Sequence, residues 1–267
     1  ANYGVERFLF LDDLMNLDGV RFKEFAAHMA EKRIPWDAVN GFRADRLNPE
    51  VLADMKKAGN RKVTVSAESA DPVVLEKIIR KGLDIDDIDR VAREAAQLSY
   101  PCQIHYVIGF PGENRPAINR TLLHAARMRR DFGAIPLVQY ATPVEGTRLF
   151  RTVEENGNWV DRDAKSRDVS ALFYTDSVLQ TEEFDPRTLR EMRQSFELGM
   201  RAFDASLEPI SIRTADDGGE LSLAEFQIRI ESLQPHRRRI ELIGEEPLLH
   251  SELPEIFEAL HSGGVKA

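Results

Sequence analysis

Five clusters of polar and glycine residues stand immediately after short apolar runs. They are Asp12 and Asp13; Asn40 and Arg43; Ser66, Glu68 and Ser69; the turn Gly109-Phe110-Pro111-Gly112-Glu113; and Gln139, Tyr140 and Thr142. An ionised carboxylate that ends an apolar run is costly unless it is exposed, paired or bound to a cation. Asp12 and Asp13 therefore suit a ligand ammonium or a metal ion, or the capping of the next helix. Glu68 follows Val63-Thr64-Val65 in the same way and could accept hydrogen bonds from sugar hydroxyls, with an ion pair to Arg43 as the competing structural use. Gly109 and Gly112 let the backbone approach a ligand closely, and the helix start beyond them offers free N–H groups. Phosphate binding would use these groups, but no Walker lysine follows and the GxGxxG spacing is absent.

The remaining titratable residues are less suggestive. His28 and His124 fall on helical stretches and His250 in a loop, none with a partner at metal-ligand spacing such as HxxxH. His105 lies inside a strand and, by alternation with Gln103 and Val107, points into the interior, where a satisfied core histidine is the ordinary occupant. Cys102 is the only cysteine, which excludes an intrachain disulfide, a CxxC motif and an all-cysteine metal site. A buried thiol is expected there. A barrel hydrolase or aldolase using Asp12, Glu68 and His105 is disfavoured, because no nucleophile or Schiff-base lysine ends a strand and Lys62 begins one, at the opposite rim.

The elements that must position these clusters alternate β-rich runs with amphipathic helices, the pattern of parallel βα units. Strands are expected at 7–12, 38–42, 62–67, 103–108 and 137–141. Phe8-Leu9-Phe10-Leu11 and Tyr106-Val107-Ile108 are apolar on both faces, as in a strand buried within a parallel sheet. Helices are expected at 21–32, from Asn48-Pro49-Glu50 to Gly59-Asn60, at 72–80, at 86–99 and from Asn114 to about 131, and a long one begins at Asp185-Pro186. Five such units predict an α/β fold, a partial (β/α) TIM-type barrel of parallel strands with outer helices. Its site then lies at the carboxyl ends of the strands. Beyond Phe150 the rhythm changes: residues 157–168 read as loop, and Ala215-Asp216-Asp217-Gly218-Gly219 reads as a turn or linker. Domains are accordingly expected at 1–150, at 151–214 (a helical extension) and at 215–267 (a linker and a small βα extension).

A net charge of −9 argues against a general nucleic-acid surface, since phosphate contacts need clustered Lys and Arg. The one dense basic run, His236-Arg237-Arg238-Arg239, reads as a solvated turn before a strand. No stretch approaches the roughly 20 apolar residues that span a bilayer, so a cytoplasmic location and no membrane partner are expected.

Taken in order, the motifs resemble the radical S-adenosylmethionine (radical SAM) superfamily. They are Phe10-Leu11-Asp12-Asp13, the stretch 36–43, Met55-Lys56-Lys57-Ala58-Gly59, Val65-Ser66-Ala67-Glu68-Ser69, the stretch 74–82, Ile108-Gly109-Phe110-Pro111-Gly112-Glu113 and the stretch 143–150. The series covers roughly residues 5–150 and is similar in order and spacing to strands two to six of that barrel. It looks most like the branch whose members often carry a cobalamin-binding domain. The resemblance implies that Asp12 and Asp13 contact the amino group of SAM, that Ser66 and Glu68 contact its ribose or carboxylate, and that Ile108, Gly109 and the turn through Gly112 to Glu113 pack against adenine. Arg43 and Gln139 are implied as further binding residues.

Members of that family cleave SAM reductively with a 4Fe-4S cluster held by three cysteines in a CxxxCxxC loop, because such clusters take soft thiolate ligands. The resemblance thus implies SAM, the cluster, possible use of cobalamin, an external reductant and a substrate, small-molecule or other, that the sequence does not name. The cysteine loop is expected upstream of Ala1, and the chain alone is expected to be inactive. The alternative is a non-catalytic binding or scaffold module on the same barrel. The stretch 240–264, with Gly244-Glu245-Glu246-Pro247, resembles the start of a second, degenerate unit of the same kind.

Overall fold

The computed structural model describes residues 6–161, 163–164, 169–206, 210–213, 215–216, 219–220, 222–225, 240–243 and 251–262. By their contacts the residues divide into two compact units, Ala1–Glu197 and Leu198–Ala267.

The first unit is built from successive βα pairs: β1 (Phe8–Phe10), α1 (Gly19–Lys32), β2 (Trp36–Ala38), α2 (Pro49–Lys57), β3 (Val63–Glu68), a π-helical turn (Val74–Ile79), α3 (Ile85–Gln97), β4 (Cys102–Ile108), α4 (Arg115–Phe132) and β5 (Ile135–Tyr140). Helices α5 (Arg148–Asn156), α6 (Val169–Thr175) and α7, which begins at Pro186, come next. The helix starts are written in the sequence. Asn48 caps α2 by accepting from Val51 N at 2.9 Å, Asp84 caps α3 from Asp86 N at 3.0 Å, and Asn114 caps α4 from Ala117 N at 2.9 Å.

All pairings among β1 to β5 are parallel. β1 pairs with β2, and β3, β4 and β5 form one ladder. Between them a seam of single bridges, Trp36 with Asn60 and Phe42 with Val65, continues the order. Phe42 N donates to Thr64 O at 2.8 Å across that seam, and Arg61 N to Trp36 O at 3.1 Å. The result is a sequential five-strand array with helices on its convex side, open rather than closed among the described residues. This is the partial barrel that the sequence predicts.

The core lies between strands and helices. Trp36 is fully buried, its indole N–H donates to Ala58 O at 2.9 Å, and edge-on contacts with Phe10, Phe25 and Phe42 surround it. Alternation along β4 is strict: Cys102, Ile104, Tyr106 and Ile108 are buried against the helices, while Gln103, His105 and Val107 face the concave side and are half-buried. His124 of α4 sits in this convex layer as a satisfied core residue, bonded to the Tyr106 hydroxyl at 2.9 Å and to Asp89 at 2.7 Å. Burial holds its pKa below the usual range even though Asp89 favours the cation.

Four expectations change. The strand expected at 38–42 is instead β2 at Trp36–Ala38, and Phe42 makes only a single bridge to Val65. β1 is not buried on both faces: Leu9 is 57% exposed, and Leu11, just beyond the strand, 71%, because among the described residues β1 is the edge of an open array and only one of its faces meets helices. The stretch 72–80 winds as a π-helical turn rather than an α-helix, ending at Arg80 in the left-handed region with φ 57°. Residues 148–156, where no helix was expected, form α5, capped by Thr147.

In the second unit β6 (Ile210–Arg213) pairs in parallel with the expected strand, here β9 (Ile240–Ile243). Within the expected linker, β7 (Ala215–Asp216) and β8 (Gly219–Glu220) form a two-residue antiparallel ladder. Helix α8 (Leu253–Ser262) buries Ile256. The basic run 236–239 and the motif Gly244-Glu245-Glu246-Pro247 lie outside the described residues.

Candidate functional site

A cleft of about 230 Å³ opens at the carboxyl ends of β1, β2 and β3. Asp13 and Leu14 contribute from the loop after β1, Asn40, Phe42, Arg43, Ala44 and Asp45 from the loop after β2, Ser66 and Glu68 from the end of β3, and Lys81 and Leu83 from the segment after the π-helical turn. The rim position is the one that parallel strands impose, since successive crossovers bring every βα loop to the same end.

The loops are tied to one another by asparagines. Asn16, 2% exposed, donates from its amide to Arg43 O at 2.9 Å and accepts from Arg43 N at 3.0 Å. Asn40 donates to Leu11 O at 3.0 Å and to Asp12 O at 3.4 Å. The loops after β1 and β2, which carry Asp13 and Arg43, are thereby joined by side-chain hydrogen bonds. A buried asparagine with both its oxygen and nitrogen used is costly to replace.

The charges are arranged in pairs. The Arg43 guanidinium donates to both oxygens of Asp45, at 2.9 and 3.1 Å, which raises the Arg43 pKa and lowers that of Asp45. Glu68 is met by Lys81, whose ammonium donates to Oε1 at 2.7 Å and to Ser66 O at 3.4 Å. The anticipated Arg43–Glu68 pair is thus replaced by two separate ones. Asp13 has no ion-pair partner among the described residues, so it is the carboxylate in the cleft open to a cationic group. Glu68 is aimed by its backbone: the β3–β4 register shifts between Ser66 and Glu68, and Glu68 itself has φ 61°, a conformation that costs a non-glycine residue about 1 kcal/mol.

Of the residues singled out in the sequence, Asp13, Asn40, Arg43, Ser66 and Glu68 converge on this cleft. Asp12 adjoins it, exposed, with its carbonyl held by Asn40. Gln139 lies on the concave face of β5, opposite Val107. The turn after β4 lies apart from the cleft lining. Ile108 is fully buried. Gly109 has φ +88°, and the close approach it permits is to Leu189 of α7, whose Cδ1 would stand 2.6 Å from an added Cβ. Gly112, at φ +92°, faces Ile78. Glu113 is 1% exposed and closes the turn on itself, with Oε2 accepting from Gly109 N at 2.8 Å and Phe110 N at 3.1 Å. Its Oε1 is buried without a hydrogen-bond partner, and burial pushes the carboxyl up to about 7, against the two amide bonds and with help from nearby Asp71.

Sequence reasoning missed Asn16, Asp45 and Lys81. Lys81 carried no local signal, because the π-helical turn that delivers it is not readable from periodicity. Arg43-Ala44-Asp45 could have flagged the bidentate pair by its spacing.

The residues present do not fit an iron–sulfur cluster. Among the described residues no group of three His, Cys, Asp or Glu could hold a metal ion. Cys102 is buried on the convex side of β4, where desolvation pushes its thiol up to about 12, far from the thiolate a cluster needs. Among the described residues no helix is long and apolar enough to cross a membrane.

An open array of parallel βα units with a polar cleft at its carboxyl rim is a partial barrel of the (β/α) class. Residues 3–125 match the family model of the radical SAM superfamily. It is 27% identical over 162 residues to an uncharacterized methyltransferase of Pyrococcus horikoshii, covering 59% of this chain and 34% of that one. It is 28% identical over 109 residues to the cytidylyl-2-hydroxyethylphosphonate methyltransferase of Streptomyces wedmorensis, covering 41% and 20%. The chain therefore spans about a third or less of the curated relatives it matches. Among solved structures it is similar to the radical S-adenosylmethionine methyltransferase TsrM from Kitasatospora setae, at 15% identity and TM-score 0.48, over 57% of this chain and 29% of that one.

Proposed function

We propose that the cleft at the rim of β1 to β3 binds S-adenosylmethionine, as the SAM-holding part of a radical SAM protein. The observation that carries the reading is the convergence of Asp13, Arg43, Ser66 and Glu68 from three successive strand ends on one polar cleft. Asp13, without an ion partner among the described residues, faces the ligand's ammonium. Glu68, turned into the cleft by its bulge, accepts from ribose hydroxyls, and Ser66 adds a hydroxyl beside it. Asn16 and Asn40 keep the first two loops in register so that these contacts form together.

A 4Fe-4S cluster in such proteins supplies the electron for reductive cleavage of SAM, and cobalamin is the further cofactor we associate with this branch. With Cys102 buried and no metal-holding group of side chains among the described residues, the reading for this chain by itself is SAM binding without cleavage. The names of the two sequence relatives make methyl transfer the reaction class we favour, on a small molecule and with an external reductant.

Hydrogen–deuterium exchange with and without SAM tests the binding. Protection at residues 12–16, 39–46, 66–69 and 80–83 is expected, and uniform exchange across these segments would refute the assignment. Anaerobic reconstitution with iron, sulfide and dithionite tests inactivity: 5′-deoxyadenosine from this chain alone would overturn it.

A further inference from the structure

Ser66, His105 and Gln139 stand on the concave face of β3, β4 and β5, each half-buried. Ser66 is opposite His105 in register, and Gln139 is opposite Val107, one step of the pleat nearer the rim. Among the described residues neither the Ser66 hydroxyl nor the Gln139 amide has a partner, and His105 is bonded through one ring nitrogen.

That one bond fixes the state of the ring. The Lys62 ammonium, a donor only, contacts Gln103 Oε1 and so sets the orientation of the amide. Gln103 Nε2 then faces His105 Nε2 at 2.8 Å and must donate. The ring nitrogen must accept, so His105 is neutral and carries its proton on Nδ1. A protonated ring would set N–H against N–H. Of the charged groups that face it, Glu68 favours the cation while Lys62 and Lys81 oppose it, and burial opposes it most.

We propose that Ser66, His105 and Gln139 form a second binding position, on the concave face, for an uncharged ligand group bearing an oxygen acceptor such as a carbonyl or amide, with His105 Nδ1–H as its fixed donor. All three side chains are neutral. The adjoining charges are mated, Glu68 to Lys81 and Lys62 to Gln103. Among the described residues a cation would find no open carboxylate there, and an anion would sit beside Glu68. The inference shares Ser66 with the SAM reading, at the border of the two positions, and rests with it on the concave face being the working face.

Two-bond 1H–15N correlation spectra of the 15N-labelled chain read the histidine tautomers directly. His105 is expected as the Nδ1–H form at pH 7. Gln103→Glu should move its proton to Nε2 and raise its titration midpoint by at least one unit, a tenfold change in proton affinity. Gln103→Leu, which keeps the site apolar, should leave a mixture of tautomers. An Nε2–H ring in the parent chain, or a ring indifferent to both substitutions, overturns the inference. Acetamide, acetate and methylammonium are then titrated separately. Acetamide should shift the His105 signal more than that of exposed His28 and more than either ion does, whereas equal or absent responses overturn the ligand class. A response to acetamide without SAM protection at the rim would sink the SAM reading alone. SAM protection with an unresponsive His105 would sink this inference alone.

Discussion

Replacing Glu113 by Gln should change how the stability of the first unit depends on pH. Glu113 has one oxygen on two backbone amides and the other buried without a hydrogen-bond partner, so burial holds its carboxyl at about 7 against an ordinary 4.5. Because the folded pKa lies above the unfolded one, the folded state binds more protons between those values. The contribution is fully present below 4.5 and is lost as pH rises to 7. Linkage makes that loss about 3 kcal/mol. Other carboxylates also titrate, so the informative quantity is the difference between Glu113→Gln and the parent. Gln keeps an oxygen for Gly109 N and Phe110 N but never ionises. Urea unfolding monitored by Trp36 and Trp159 fluorescence should show the variant gaining about 3 kcal/mol on the parent between about pH 4.5 and pH 8. A difference flat with pH would mean that Glu113 ionises as a solvated carboxylate does, and would refute the reasoning.

Other perturbations rest on the same kind of contact. Gly109→Ala places a Cβ 2.6 Å from Leu189 Cδ1 at φ +88° and should cost about 2 to 4 kcal/mol in urea unfolding; Leu189→Ala in the same chain should recover the steric part, leaving a cost below the sum of the single changes. Asn16→Ala, which frees the part-buried N–H and C=O of Arg43, should cost about 1 to 3 kcal/mol and raise amide exchange at residues 42–44. Lys81→Met unpairs Glu68, whose side chain is only 23% exposed, and on the proposed reading should weaken binding of SAM less than Glu68→Gln does, since Lys81 pairs with Glu68; equal losses in calorimetric titration would count against that order.

How much was legible in the sequence can be judged residue by residue. Apolar runs ended by polar clusters marked four of the five strands and the rim, because parallel strands must place every such end together, whereas the run 38–42 missed β2, which lies at Trp36–Ala38. Asn48-Pro49 and Asn114 marked their helices through cap chemistry that is local. What failed depended on neighbours in space. Phe8 to Leu11 reads as a doubly buried strand, yet burial is set by which strands flank it, and β1 is an edge. Gly109 reads as a close approach, and the partner is Leu189, far along the chain on α7. Lys81 reaches Glu68 only because a π-helical turn, whose hydrogen bonds span one residue more than those of an α-helix, changes the direction in which the chain leaves it. His105 was placed on the concave face by alternation alone, while its tautomer required Lys62 and Gln103 in three dimensions.

The central claim is that the cleft lined by Asp13 and Glu68 is a SAM site. Isothermal titration of SAM into the parent chain and into Asp13→Asn/Glu68→Gln tests it directly. One-to-one binding by the parent is expected, weakened at least tenfold in the double variant with its fold retained by circular dichroism. No binding by the parent, or equal binding by both, would contradict it.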